Sequence, residues 1–257
     1  MTTSARIGPA LVVAALVVAS CGGEDTVEPG TSFASRTGAP ATVIDPGDGG
    51  RYRPGLDAAD FQADIDNPYF PLAPGMRWVY EGAEGDEVER VEVVVTSERK
   101  EVLGISAVVV RDTVTIDDEL VEDTFDWFAQ DHDGNVWYLG EDTKEYEDGQ
   151  VVSTAGSWEA GVDGAEAGIV MLGDPTVGRA YRQEYYPGEA EDLAEVVRRR
   201  VSEDVAAGSF DDIVVIREWN PLEPEVVEEK YHAPGVGPIL AVVVEGGAGR
   251  EELVEGP

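Results

Sequence analysis

Apolar and polar residues alternate with a period of two along most of the chain beyond residue 75. Trp78 and Tyr80 lie within the string Arg77-Trp78-Val79-Tyr80-Glu81, and Val91, Val93 and Val95 repeat the alternation one segment later. A period of two is typical of β-strands that bury one face. The pattern predicts a mainly β domain, all-β to α+β, which begins near residue 59.

Turn signals separate the predicted strands and set their order. Segments 124–130 and 136–141 flank the loop Asp131–Asn135, and Asp148-Gly149 marks a second tight turn. A strand over 102–116 is predicted to break near Arg111-Asp112. After a glycine-rich stretch, the remaining strands are predicted at 178–186, 194–205, 213–219, 226–232 and 239–244. Segment 189–197 has helix as an alternative, but Val196-Val197 favours strand.

Strands that follow one another through short loops pair with their sequence neighbours. We therefore predict an antiparallel meander of about ten to twelve strands. It would form a strongly curved sheet, a half-barrel or a barrel, with at most two short helices. Before it, residues 67–75 contain three prolines, which predict an extended entry into the domain.

The start of the chain carries a different pattern. Arg6 is followed by the apolar run Ile7–Ala19 and then by Cys21, the single cysteine. A positive start, a short apolar core and small residues before a cut define a signal peptide. A transmembrane helix is the alternative, but thirteen apolar residues are fewer than the roughly 20 that a span requires. We predict a signal peptide over residues 1–20.

The string Val18-Ala19-Ser20-Cys21 resembles the lipobox of bacterial lipoproteins. The resemblance implies cleavage before Cys21 and a diacylglycerol on its thiol. Residues 21–58, rich in Gly, Pro, Ser and Thr, would then be a lipidated cysteine and a flexible tether. Residues 59–257 would form a single β-rich globular domain in the cell envelope, facing the extracytoplasmic side. A single cysteine leaves no disulfide to stabilise that domain.

Charge narrows the range of partners. The chain has 18 Lys and Arg against 53 Asp and Glu, a formal net charge of −35. Nucleic-acid binding requires clustered basic side chains and is not expected. A large net charge also keeps a protein soluble and monomeric. We expect a monomer without a cofactor, held on the membrane by its lipid, with a small apolar ligand or an envelope protein as partner.

Four short phrases resemble those of a family of uncharacterised bacterial secreted and lipoprotein domains. They are Trp127–Asp131, Gly134–Tyr138, Trp158–Gly161 and Tyr231–Gly237. The resemblance spans about residues 67–245 and implies no known biochemical activity. In architecture alone, a meander behind a lipid anchor is also similar to the curved half-barrels of bacterial lipoprotein carriers.

Aromatic residues supply the candidate ligand pocket. On adjacent strands they either fill a core or line a concave pocket with their polar tips. Pairs such as Trp127-Phe128 and Trp137-Tyr138 place aromatics on both faces of one hairpin. The candidate pocket residues are Trp127, Trp137, Tyr138 and Trp158.

Asp131, Asp133 and Asn135 form a weak calcium candidate, because Ca²⁺ takes oxygen ligands at alternate positions of a tight loop. The loop departs from the EF-hand pattern in its glycine position, its twelfth residue and its flanking strands. A hairpin turn that uses Asp, Gly and Asn for their backbone tolerance is the alternative. No other metal site is predicted.

Carboxylates beside aromatics are the catalytic candidates, since two facing acids can hydrolyse glycosides. With 53 acidic residues such neighbours also arise by chance, and we expect these to be surface acids at the border of the core. His132 and His232 occur in no nucleophile motif and are expected to be exposed or hydrogen-bonded turn residues. The four acids are Asp126, Glu141, Glu159 and Glu184.

These observations favour a non-enzymatic binding or envelope-associated module with no assigned catalytic residue. Three alternatives stay open. One is a carrier of a lipid or another apolar ligand in a concave sheet, which requires a cavity of several hundred Å³. The others are a carboxylate-dependent hydrolase and a purely structural envelope lipoprotein.

Overall fold

The computed structural model describes residues 52–84 and 87–257. Within them lie sixteen strands and one 3-10 turn, Ala58–Asp60. The strands are β1 (Phe61–Gln62), β2 (Arg77–Glu84), β3 (Glu87–Val102), β4 (Ile105–Ile116), β5 (Glu119–Asp131), β6 (Val136–Glu147), β7 (Gln150–Ser153), β8 (Trp158–Glu159), β9 (Glu166–Met171), β10 (Ala180–Arg182), β11 (Glu184–Tyr185), β12 (Leu193–Val205), β13 (Gly208–Trp219), β14 (Val227–Ala233), β15 (Gly237–Glu245) and β16 (Arg250–Glu255).

Thirteen of these strands form one continuous antiparallel path that curls into a nearly closed barrel. Their spatial order is β10, β12, β13, β14, β15, β16, β2, β3, β4, β5, β6, β9 and β11. The remaining strands pair from the side, β1 with β5 and both β7 and β8 with β6. The predicted all-β antiparallel meander is therefore confirmed.

The barrel closes where the chain passes from one edge of the sheet to the other. Strand β10 pairs with β12, the next strand β11 pairs with β9, and only Gln183 lies between them. A Cβ atom at Gly168 of β9 would lie 2.2 Å from the Gln183 carbonyl carbon. Glycine is thus required for this close approach. We call the crossing segment Ala180–Tyr185 the seam.

Apolar side chains fill one half of the interior. The strand register places Phe128 of β5 opposite Val108 and Tyr138, and Trp78 of β2 opposite Val93. The inward apolar side chains of this half are Trp78, Tyr80, Val91, Val93, Val95, Val108, Val110, Phe128, Tyr138 and Leu253, all nearly inaccessible to solvent. Their burial supplies the hydrophobic stabilisation of the fold.

Residues 65–76, which we call the strap, cover the end of this apolar half. Phe70 packs edge-on against Phe128 with 5.5 Å between the ring centroids. Asn67 fixes the strap because its Nδ2 donates to the carbonyls of Gly134 (2.9 Å) and Leu172 (3.1 Å). The prediction of an extended entry at 67–75 is wrong in part, because turns closed by the Phe70 N–H on the Asn67 carbonyl (3.2 Å) and the Met76 N–H on the Ala73 carbonyl (3.0 Å) interrupt it. The segment covers the apolar core.

Several boundaries depart from the sequence prediction. The break near Arg111-Asp112 is wrong, because β4 runs unbroken and Asp112 points into the barrel. The helix alternative for 189–197 is also wrong, since most of it belongs to β12. Strand β16 was not predicted, and the predicted strand 178–186 is divided at Gln183 into β10 and β11.

Tyr52 lies within the range assigned to the tether, yet it is 2% exposed. Its ring meets that of Tyr185 edge-on at 5.9 Å. Cys21, the signal peptide and the rest of the tether lie outside the described residues. In the described part of the chain, no helix has the length and apolarity needed to span a bilayer.

Candidate functional site

Carboxylic acids occupy the other half of the barrel interior. Asp112 of β4, Asp126 of β5, Glu141 of β6 and Glu184 of β11 are each at most 3% exposed. We call these four residues the acid cluster. Isolated ionised carboxylates are very costly to bury, so such groups either pair with cations or become protonated.

A bulge in β6 brings the cluster together. Asp126 lies opposite Glu141, whereas two residues further along β5 Phe128 lies opposite Tyr138. Between these two pairs β5 has one residue, Trp127, and β6 has two, Leu139 and Gly140. The extra residue lets Tyr138 and Glu141 both point inward. Gly140 sits at the bulge with φ +127°, and a Cβ there would lie 2.2 Å from the Trp158 carbonyl oxygen. Glycine lets β8 approach beside Glu141.

Hydrogen bonding satisfies the cluster only in part. The Tyr138 hydroxyl donates to Asp126 Oδ1 at 2.8 Å. Asp126 Oδ2 and both carboxylate oxygens of Asp112 accept no hydrogen bond from the described residues. A protonated carboxyl carries one fewer acceptor and no net charge, so protonation lowers the cost of burial.

Burial accordingly raises the pKa of every member of the cluster. For Asp126 burial, with a further contribution from the charge of Glu122, raises the pKa to about 8 although Tyr138 lowers it. Burial and then Asp126 raise the pKa of both Asp112 and Glu141 well above the ordinary range. Burial and then Asp192 do the same for Glu184. Burial and the closeness of the carboxyls therefore favour the protonated form throughout the cluster.

A cation enters the interior on the opposite wall. Lys230 of β14 places Nζ 2.7 Å from Glu218 Oε2, with both side chains largely buried. Burial by itself lowers the pKa of Lys230, but the charges of Glu218 and Glu228 outweigh it, so the net shift is upward. This part of the interior contains an ion pair, in contrast to the neutral cluster facing it.

The expectation that the four candidate acids lie at the surface is wrong for three of them. Asp126, Glu141 and Glu184 converge inside the barrel, whereas Glu159 is on the outside and binds Lys100 Nζ at 2.9 Å. Sequence reasoning missed Asp112. Its signal was a single charged residue at an inward position of the apolar alternation in β4, which was interpreted as a strand break.

The two histidines differ in their surroundings. His132 is exposed in the β5–β6 hairpin, as expected. His232 lies inside β14 at 3% exposure, so the expectation of an exposed or turn position is wrong for it. Its Nδ1 is 3.3 Å from the Tyr69 carbonyl oxygen. Burial lowers the pKa of His232 to about 4, which keeps the ring neutral.

The four candidate pocket aromatics divide between the two faces of the sheet. Trp127 lies on the outer face beneath Lys100, whose Nζ is 4.3 Å from the ring centroid. Trp137 is on the same face and packs against Phe61 at 6.4 Å. Tyr138 and Trp158 point inward and meet edge-on at 5.2 Å. Aromatics on both faces of this hairpin are confirmed, but the four do not surround a common space.

A small cavity lies at the apolar end, beneath the strap. Its volume is about 20 Å³, enough for one water molecule. The lining residues are Phe70, Pro71, Leu72, Trp78, Tyr80, Val93, Val110, Phe128 and Pro238. The four predicted pocket aromatics do not contribute to it.

The calcium candidate forms a hydrogen-bonded hairpin. Asp131 Oδ1 accepts from the Asn135 backbone N–H at 2.9 Å, and Oδ2 accepts from Asn135 Nδ2 (2.8 Å) and Trp137 Nε1 (2.7 Å). Asp133 is exposed. The carboxylate of Asp131 is thus used to fix the turn. Across residues 52–84 and 87–257, three or more His, Cys, Asp or Glu side chains do not gather in a metal-binding arrangement.

Comparisons with known proteins find distant structural likeness only. The barrel is similar to a putative exported protein with a YmcC-like fold from Bacteroides fragilis, at 14% identity and a TM-score of 0.41 over 74% of this chain and 98% of that one. It is also similar to a putative lipoprotein from Parabacteroides distasonis, at 13% identity and a TM-score of 0.34 over 76% and 100%. No family model and no curated protein matches the sequence.

We expect Asp131→Ala to destabilise the fold by about 3 kcal/mol, because three buried donors lose their acceptor. Urea unfolding followed by tryptophan fluorescence measures the change. Asp133→Ala in the same hairpin is the matched control and should change stability by less than about 0.5 kcal/mol. Equal effects of the two substitutions would show that the Asp131 hydrogen bonds do not support the turn.

Asp126→Asn should remove a pH dependence of stability. The folded protein keeps the Asp126 proton up to about pH 8, whereas the unfolded chain releases it near the ordinary value of 3.8. The Asp126 contribution to the free energy of unfolding therefore falls as pH rises between these values.

Asparagine mimics the neutral acid and can still accept from Tyr138. The variant should accordingly gain stability relative to wild type by at least ~1.4 kcal/mol, the equivalent of one pKa unit, between pH 4 and pH 8. Urea unfolding at a series of pH values measures this difference. Asp142→Asn, on the exposed face of β6, is the matched control and should differ from wild type by less than about 0.5 kcal/mol at each pH. A constant offset for Asp126→Asn would mean that Asp126 ionises normally in the fold.

Proposed function

We propose that this protein is a membrane-anchored lipoprotein, acylated on Cys21, whose barrel is a non-enzymatic binding domain on the extracytoplasmic side of the envelope. The single observation that carries the proposal is the position of the only cysteine directly after a short apolar run and small residues. Two acyl chains on one residue give stable membrane attachment, since each buried CH₂ contributes about 0.8 kcal/mol.

The filled interior supports recognition on the outside of the barrel. Side chains and the strap leave about 20 Å³ at the apolar end, and buried acids occupy the other half. The surface that remains belongs to a chain with a net charge of −35. A partner with a basic face fits this surface best, because complementary charge speeds association and suppresses wrong partners. An envelope protein is thus favoured over a small apolar ligand.

The carrier and hydrolase alternatives agree less well with the geometry. A lipid carrier requires several hundred Å³, more than ten times the cavity beneath the strap. Hydrolysis by paired carboxylates requires a cleft that admits the substrate between them. Asp126 and Glu141 do lie opposite each other, but they are 0% and 2% exposed.

Replacing the anchoring thiol tests the proposal. Cys21→Ser should abolish incorporation of an alkyne-labelled palmitate in bacterial cells and leave the protein as an unprocessed precursor. In-gel fluorescence after coupling to a dye reads the lipid, and intact mass reads the processing.

A second variant with a relocated thiol is the control. Cys21→Ser combined with Ser32→Cys keeps one cysteine in the chain but moves it away from the lipobox string. It should stay unlabelled. Label in either variant would show that the lipid is attached elsewhere, and an unlabelled wild-type protein would contradict the proposal itself.

A further inference from the structure

The seam is the weakest connection in the barrel wall. Strand β10 pairs with β12 at three positions, and β11 pairs with β9 at two. Few ladder hydrogen bonds hold these strands. Close packing of Gly168 against the Gln183 backbone adds to them. Gln183 adds two tertiary bonds, from N–H to the Asp192 carbonyl (2.9 Å) and from Nε2 to Glu218 Oε1 (2.8 Å).

Acids on the seam, on the loop that follows it and on the neighbouring strands lie close to one another. Glu184 belongs to β11 itself, and Asp192 lies in the loop that leads from β11 into β12. Glu141 approaches from β6, with Asp126 opposite it on β5. The carboxyls of β11 and β6 are both shut off from water, so their interaction is only weakly screened.

A buried carboxyl cluster can be tolerated in one of two ways, by pairing with a cation or by protonation. Lys230 is bound to Glu218 at 2.7 Å. Neither carboxylate oxygen of Glu141 or of Glu184 has a hydrogen-bond partner among the described residues. Burial therefore favours the protonated form of both acids.

We propose that the seam is a proton-operated latch, closed while Glu141 and Glu184 hold their protons and opened between β9 and β11 when they ionise. On opening, each carboxyl releases its proton to the solvent and gains water in place of its buried neighbours. The pairing of β11 with β9 breaks first, because it consists of only two residue pairs that hold the strands together against the repulsion between the carboxylates. The long hairpins elsewhere stay paired.

The electrostatics of the site agree with this direction. Burial raises the pKa of Glu184, with Asp192 and Glu141 adding to the effect, while Trp158 lowers it. Burial also raises the pKa of Asp192, although Glu184, Asn220 and Lys230 oppose it. These shifts favour the protonated acids, so the latch opens as pH rises.

Other titratable groups surround these acids on every neighbouring element. On the β6 side they are joined by Tyr138, and on β5 and β4 by Glu122 and Asp112. The opposite wall contributes Glu218, Glu228 and Lys230, and the β13–β14 loop contributes Glu223. Lys230 is the cation of this set, so most neighbours add negative charge when they ionise.

Hydrogen exchange of the mature acylated protein in detergent micelles tests the latch. Protection factors, corrected for the intrinsic pH dependence of exchange, are followed by mass spectrometry from pH 6 to pH 10 for peptides covering β9 to β11 and the start of β12. We expect protection there to fall at least tenfold across this range. Peptides from β3 and β4 in the same sample are the internal reference and should keep their protection.

The variant Glu184→Gln mimics the protonated acid and should retain seam protection at pH 10, with Asp142→Asn on the exposed face of β6 as a control that behaves like wild type. Unchanged wild-type protection of the seam would overturn the proposal, as would an equal loss in the Gln variant. A loss that occurs equally in β3 and β4 would show global unfolding and also overturn it. Acylation of Cys21 is read separately from these peptides, so failure of the latch leaves the anchoring proposal standing.

Discussion

The structure depends on how a nearly closed barrel fills its interior. Thirteen strands enclose a space that their inward side chains, the strap and the seam must occupy. The apolar half is filled in the ordinary way, by valines and aromatic rings with Phe70 of the strap above them. The other half is filled by carboxyl groups, which can remain there only as neutral acids or as members of an ion pair.

This division explains why the barrel combines an ordinary core with an extreme surface charge. Most of the acids lie outside, where water and salt screen them. Burial favours the neutral form of the acid cluster inside, whereas Glu218 pairs with Lys230. The cavity beneath the strap is small, which agrees with the proposal that recognition takes place on the outer surface.

The period-two pattern was sufficient to predict the long hairpins, because their strands have six or more alternating residues and clear turn signals. It could not predict the closure. Strands β10 and β11 span three and two residues, too few for any periodicity, and their partners are set by the tight contact at Gly168. The prolines of the strap predict extended backbone, but turns interrupt it, and no sequence pattern indicates that it covers the barrel end.

The acid cluster was only partly visible in the sequence. Asp126, Glu141 and Glu184 were singled out for their aromatic neighbours, but the bulge at Gly140 that turns Glu141 inward depends on β8. Arg111-Asp112 predicts a strand break because a charged residue is rare on the buried face of a strand, yet β4 continues through it. The aromatic set was misjudged for a related reason, since alternation separates Trp127 and Trp137 from Tyr138 and places them on opposite faces.

We expect the carboxyl groups of the acid cluster to be neutral at physiological pH. Carbon-13 NMR of the side-chain carboxyl of Asp126, assigned through the spectrum of an Asn variant and titrated from pH 3 to pH 10, measures this protonation directly. The expected midpoint is about 8. A midpoint near the ordinary value of 3.8 would contradict it, because the acid half of the barrel would then be charged and open to water.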